Sequence, residues 1–126
     1  MFRLLLMVCV LAWALLPAKA AVLTLSCDGI ATDVKTKEKD QVTKLGVIVD
    51  LDNRVVTGLA ITLDIINIDA NLVSFGRSVA WRSISGTIDR ITGALQALDN
   101  WIDSKTNRII MSSDLDLICK PTKPLF

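Results

Sequence analysis

The stretch RIIMSSDLDLIC, from Arg108 to Cys119, changes chemistry residue by residue. Met111, Ser113, Leu115, Leu117 and Cys119 fall on one side of it, and Ser112, Asp114 and Asp116 on the other. A period of two is the repeat of a β-strand with one buried face. Near the other end of the chain, Val22 to Cys27 repeats the pattern. Leu23, Leu25 and Cys27 oppose Thr24 and Ser26, and Asp28 with Gly29 closes the run. The first and last predicted strands therefore each carry a cysteine on the apolar face, and a bond between them would bring the chain back to its start.

Whether they bond depends on the compartment, and the first twenty residues address that. Met1, Phe2 and Arg3 precede an apolar run from Leu4 to Leu16, and Pro17, Ala18, Lys19 and Ala20 follow it. A positive start, a short apolar run and small residues at Ala18 and Ala20 are the parts of a secretory signal, with cleavage expected between Ala20 and Ala21. The run is about 13 residues, short of the roughly 18 to 20 that a helix needs to cross hydrocarbon, so no transmembrane span is expected after cleavage. Cleavage removes Arg3 and Lys19 and no acid, taking the net charge from +1 to −1. It also removes Cys9. Cys27 and Cys119 then remain in an oxidising compartment, where an even count argues for one disulfide. Closing a loop of about ninety residues stabilises a fold by about 4 to 5 kcal/mol in the chain-entropy model.

Residues 21–126 read as one all-β domain. Residues 32–44 are crowded with Asp33, Lys35, Lys37, Glu38, Lys39, Asp40 and Lys44, which predicts a solvated loop or frayed hairpin. Leu45 to Leu51 and Val55 to Ile66 are β-branched runs about a turn at Asp52 and Asn53, hence a hairpin. Asn67 to Phe75 reads as a further strand punctuated by Asp69, Ala70 and Asn71. Val79, Trp81, Ile84 and Ile88 mark the next one, which places Trp81 in the core. Asp89 and Arg90 make a tight turn into a strand through Ile91, Gly93, Leu95 and Ala97. Asp99 to Asn107 reads as turn-rich. A pattern recurs at Asp52, Asp89 and Asp103: an Asp able to cap a turn, then a basic residue, then a β-branched strand start. The sum is a single-domain antiparallel meander of about seven strands, folded as a barrel or a two-layer sandwich.

The composition removes many functions. There are 14 Lys plus Arg against 13 Asp plus Glu, so no basic surface for nucleic acid is implied. His and Tyr are absent and Glu38 is the single glutamate, so the usual general bases are missing and a Ser-His-Asp site is excluded. Asp114 and Asp116 share a strand face, but calcium takes six to eight oxygens and no acidic loop of that density is present. Neither a metal, another cofactor nor a catalytic residue is expected. Phe126 resembles the aromatic end of outer-membrane barrel strands. Pro121 and Pro124 interrupt pairing before that end, and Asp50, Asp52, Asp114 and Asp116 suit an outward face in water better than one in lipid.

The run Ser85, Gly86, Thr87, Ile88, Asp89, Arg90, Ile91, Thr92, Gly93, with Cys119, Lys120, Pro121 and Thr122 near the end, resembles small exported proteins of uncharacterised role from alphaproteobacteria. The likeness covers the last third of the chain and, more faintly, the hairpin at Asp52. It implies export and a fold pattern, and carries over no activity.

The functional expectation is an exported soluble protein, periplasmic or secreted, with a non-enzymatic binding or structural role in the cell envelope. Its partner would be an envelope protein or a small ligand. Two alternatives stay open: a carrier of small lipophilic ligands with a hollow interior, and a periplasmic protease inhibitor acting through a terminus. Trp101, on the turn-rich run, is the one possible binding residue, although an indole that folds back to plug one end of the fold is the commoner outcome for such a residue and is the expectation here.

Overall fold

The computed structural model describes residues 22–122; the expected signal segment, the Ala20–Ala21 bond and Phe126 lie outside the described residues. The strands are β1 (Val22–Asp33), β2 (Lys39–Asp50), β3 (Val55–Leu59), β4 (Ile61–Ile68), β5 (Leu72–Val79), β6 (Arg82–Asp89), β7 (Ala94–Asp103) and β8 (Arg108–Pro121). Each pairs antiparallel with its predecessor, and β8 returns to β1 to close the barrel. Closure leaves no free sheet edge along the paired lengths, and it decides between barrel and sandwich. Cys27 and Cys119 are direct cross-strand partners in the β1–β8 seam and are disulfide-bonded, with a sequence separation of 92 residues.

Several expected boundaries move. Val55 to Ile66 is not one strand: the chain reverses at Ala60, which sits at φ 72°, and Leu59 pairs back with Ile61. This fold-back yields an eighth strand from a run whose composition is continuously β-branched. Gly58 has φ 109°, and a Cβ there would strike the Gly46 carbonyl of β2, so the tight approach of β3 to β2 requires glycine. The polar segment 32–44 is mostly strand, and only residues 34–38 form the turn. Charged side chains are tolerated there because these strand ends stand clear of the core. The punctuation at Asp69 to Asn71 is the β4–β5 turn. Asp99 to Asp103, expected in turns, completes β7, and the turn is confined to residues 104–107.

Inward side chains fill the barrel. Phe75, Leu63, Ile84, Leu95, Leu117, Val47, Val56 and Cys27 are fully buried, and each large aliphatic or aromatic side chain stabilises the fold by about 1.5 to 3 kcal/mol on transfer from water. The two ends differ. One, the tip end, carries the turns 34–38, Ala60, 80–81 and 104–107. The other, the open end, carries the turns 51–54, 69–71 and 90–93, where β1 begins and β8 finishes. The sides of the barrel are unequal as well, since β3 has 5 residues and β1 has 12. As a result, the β1–β2 and β7–β8 hairpins rise past the rim at the tip end.

Candidate functional site

At the tip end the barrel is closed by three side chains. Arg82 and Trp101 are cross-strand partners on β6 and β7, and Asp99 pairs with Ile84 one step deeper on the same inward face. The Arg82 Nε donates to Asp99 Oδ1 at 2.9 Å and its Nη2 donates to Oδ2 at 2.5 Å, a bidentate pair. The guanidinium carbon lies 4.1 Å from the Trp101 ring centroid and 5.9 Å from that of Trp81, both within cation–π range. The hydrogen bond to Asp99 holds the Arg82 pKa above its ordinary value, against the opposing effect of burial. Asp99 takes the Nε and Nη2 edge of the guanidinium and the Trp101 ring covers one of its faces, so Arg82 is held in place by partners inside the protein.

The two tryptophans exchange their expected settings. Trp81 is not in the core: it occupies the β5–β6 turn and is 44% exposed. Trp101 is not on a loop: it lies in β7, half-buried, with its ring centroid 5.6 Å from that of Trp81. The indole of Trp101 covers the end of the core, as expected for a plug, while Trp81 presents surface to solvent.

The open end is a cup of about 490 Å³. Leu25, Val49, Val73 and Ile88 form its buried floor, and Leu23 and Leu51 its wall. Arg90, Ile91 and Lys120 stand at the mouth. The rim is built by turn chemistry. Asp89 Oδ1 accepts the backbone N–H groups of Ile91 and Thr92, and these bonds lower the carboxyl pKa, that from Thr92 most. The Arg90 N–H donates to the Asn71 carbonyl and its Nη1 to the Asp69 carbonyl, tying the β6–β7 turn to the β4–β5 turn. Gly93, at φ 79°, accepts the Cys119 N–H on its carbonyl at 2.8 Å, where a Cβ would collide with Cys119. The Asp89–Gly93 motif is thus a clasp that joins three hairpins around the mouth.

Of the recurrent Asp turns, Asp89 and Asp103 cap as expected, whereas at the first hairpin the cap is Asp50 and not Asp52. Asp50 Oδ1 accepts from Asp52 N and Asn53 N, because Asp50 is the last strand residue and Asp52 already lies in the turn. Asp33 and Asp69 cap two further turns. Asp33 opens the charged run through Lys39, and Asp69 opens the break at Asp69 to Asn71 that the sequence showed. Asp114 and Asp116 are exposed on β8, as their alternation requires.

No family model matches the chain, nor does any curated protein or solved structure. Function therefore rests on the geometry of the two ends. Among the described residues no group of three or more Cys, Asp or Glu converges, and every buried side-chain polar atom has a partner. No helix among them is long and apolar enough to cross a membrane.

Proposed function

We propose that this protein is an exported, non-enzymatic binding module whose open end holds a small lipophilic ligand. The observation that carries the reading is the asymmetry of the barrel: Arg82, Asp99 and Trp101 close one end, while the other opens into an apolar cup of about 490 Å³. Cavities of about 300 to 1,000 Å³, mostly apolar with few polar groups, are the usual form of a small-molecule site. Burial of an alkyl or aryl group against Leu25, Val49, Val73 and Ile88 supplies the affinity. Lys120 and Arg90 at the mouth favour a ligand whose polar end is anionic.

Export, with cleavage between Ala20 and Ala21, belongs to the same proposal. The Cys27–Cys119 bond supports it, since structural disulfides persist in oxidising compartments. The resemblance of the Ser85–Gly93 and Cys119–Thr122 runs to small exported alphaproteobacterial proteins points the same way.

A thermal-shift series with fatty acids of graded length tests the reading. A ligand at 100 times its Kd stabilises the fold by about 2.7 kcal/mol. Leu23 is 43% exposed on the wall, so Leu23→Glu leaves the fold intact and places a charge in the cup. The expected result is a rise in Tm for the wild type that Leu23→Glu abolishes. No shift with any chain length, or a shift that Leu23→Glu leaves unchanged, overturns the proposal.

A further inference from the structure

We infer that the tip end, opposite the cup, is the face through which two copies of this chain associate. Ile110 and Ile109 are 67% and 60% exposed there, and Met111, Trp81 and Val34 are exposed beside them. Strand register makes these residues neighbours. Met111 is the cross-strand partner of Trp101, Ile109 is the partner of Ile102, and the Ile102 N–H donates to the Trp81 carbonyl. From the other side the Val34 N–H donates to the Ser112 carbonyl. The register slips between Trp101 and Ile102, which inserts Ile110 as an extra residue in β8, so three consecutive apolar side chains crowd one tip. Arg82, Asp99 and Trp101 already close the barrel beneath them, so these side chains have no place in the core of their own chain.

The patch lies between two hairpin tips that are built alike. In each an aspartate caps the turn, Asp33 accepting the Lys35 N–H at 2.9 Å and Asp103 that of Lys105 at 3.0 Å. In each a residue at positive φ closes it, Lys37 at 64° and Asn107 at 57°. The two tips and the β5–β6 turn offer about 20 residues, the number that each side of a standard interface takes.

The charge around the patch selects the occupant. The cations Lys35, Lys37, Lys39, Lys105 and Arg108 stand among the acids Asp33, Glu38, Asp40 and Asp103. So even a mixture gives no attraction to a surface of one sign, and it lets one tip approach another without net repulsion. An apolar centre inside a polar rim is the make-up of a protein interface, and a two-fold interface requires both signs within one patch. The signs are also unevenly placed. The exposed acids, Glu38 and Asp40, belong to the β1–β2 tip, whereas the β7–β8 tip carries Lys105 and Arg108 with the half-buried Asp103. A two-fold axis through the patch sets the β1–β2 tip of one copy against the β7–β8 tip of the other. Both contacts then join Glu38 and Asp40 to Lys105 and Arg108, while Ile109 and Ile110 meet their equivalents. Arg82–Asp99 is the salt bridge found among the described residues, so the tip charges are not committed to ion pairs within the chain.

Sedimentation and light scattering over a concentration series test the assignment, using the full chain purified in the same way for every variant. The expected result is a monomer in dilute protein that becomes a dimer as concentration rises. Ile109→Ser with Ile110→Ser should weaken the dimer by about thirtyfold or more. Charge reversal tests the geometry. Glu38→Lys with Asp40→Lys should leave a monomer, and so should Lys105→Glu with Arg108→Glu, yet an equal mixture of these two variants should form a one-to-one heterodimer, because both contacts are then attractive. Pairing in the mixture also shows that both variants are folded. Trp81 supplies a second reading: with Trp13→Phe and Trp101→Phe in place, its emission should move to shorter wavelength as the dimer forms. A chain that stays monomeric at every concentration overturns the inference. So does a dimer that Ile109→Ser with Ile110→Ser leaves unchanged, or a mixture of the two charge variants that fails to pair. The cups stand at the far ends of such a dimer, so the test does not depend on what they hold.

Discussion

Arg82 and Asp99 meet as a two-point ion pair across β6 and β7, at the level where the barrel core ends and the tip begins. Both side chains are largely buried, with exposures of 13% and 12%. The pair is thus neither a solvated surface bridge nor a fully dry one. Removing one partner leaves a charge under the Trp101 indole with no carboxylate to meet it. Asp99→Ala is expected to destabilise the fold by about 1 to 3 kcal/mol. The joint change Arg82→Met, Asp99→Leu should recover much of that loss, because it leaves no unpaired charge. Urea midpoints of the two variants check this, and equal losses in both would contradict it.

The disulfide adds to a seam that β1 and β8 already pair. Its contribution therefore comes chiefly from the unfolded chain, which it shortens by a long loop. Cys27→Ser with Cys119→Ser should cost about 4 to 5 kcal/mol while leaving the strand content of the residual folded fraction intact. Denaturant titration gives the loss. Non-reducing peptide mapping of the native protein should recover the two cysteines in one bonded fragment pair.

Asp89→Ala removes the acceptor for the Ile91 and Thr92 N–H groups and loosens the clasp at the mouth of the cup. A lower Tm is expected, since turn chemistry is lost. Ligand affinity per folded molecule should change little, because the apolar floor lies on other residues. A variant with wild-type Tm and no ligand binding would instead make Asp89 a binding residue.

Acid should unfold the protein through its turns. Asp33, Asp50, Asp69 and Asp89 have carboxyl pKa values lowered by backbone N–H groups of their own turns, with Thr36, Asn53, Leu72 and Thr92 the leading donors. A carboxyl whose folded pKa is depressed contributes stability that is fully present above its unfolded value of 3.8. That stability is lost as pH falls through the lower folded value. Stability measured by urea should therefore be flat from neutrality to about pH 5 and fall most steeply below pH 4. A variant with Asn at all four positions should show a shallower acid slope. The same slope in both proteins would reject the assignment.

Trp81 and Trp101 should report opposite settings. In Trp81→Phe, the emission of Trp101 is expected at shorter wavelength and weakly quenched by iodide. In Trp101→Phe, Trp81 should emit to the red and be readily quenched. Both variants also carry Trp13→Phe, so that each holds a single tryptophan. The reverse pattern would contradict the placement of the two indoles.

Much of the architecture was legible residue by residue. The alternation through Leu23, Leu25 and Cys27, and through Leu115, Leu117 and Cys119, correctly marks the inward faces. The turn begins at Asp89 as its chemistry says, because an Asx turn depends on a side chain and the N–H groups that follow it. It runs through Gly93, however, and Ile91 and Gly93, expected in the next strand, belong to the turn because β7 starts at Ala94. Ala60 was not legible. A left-handed alanine inside a β-branched run has no local signal, and the reversal is stabilised by pairing of β3 with both β2 and β4. Asp99 was misread for a similar reason: its partner Arg82 lies 17 residues away, and within its own segment it resembles any turn aspartate.

The sequence alone determined the strand class, the faces of the end strands with Cys27 and Cys119 on them, and the start of the capped turn at Asp89, since each follows from neighbours along the chain. Tertiary structure decided the closure into a barrel and the contrast between its two ends. Trp101 covers the core and Trp81 does not because β7 continues past the level at which β5 turns into β6. The cup stays open because no large side chain reaches across Leu25, Val49, Val73 and Ile88 at the opposite rim. Both outcomes depend on the register between strands distant in sequence, and register is set by the packing of the whole interior and not by any single run of residues.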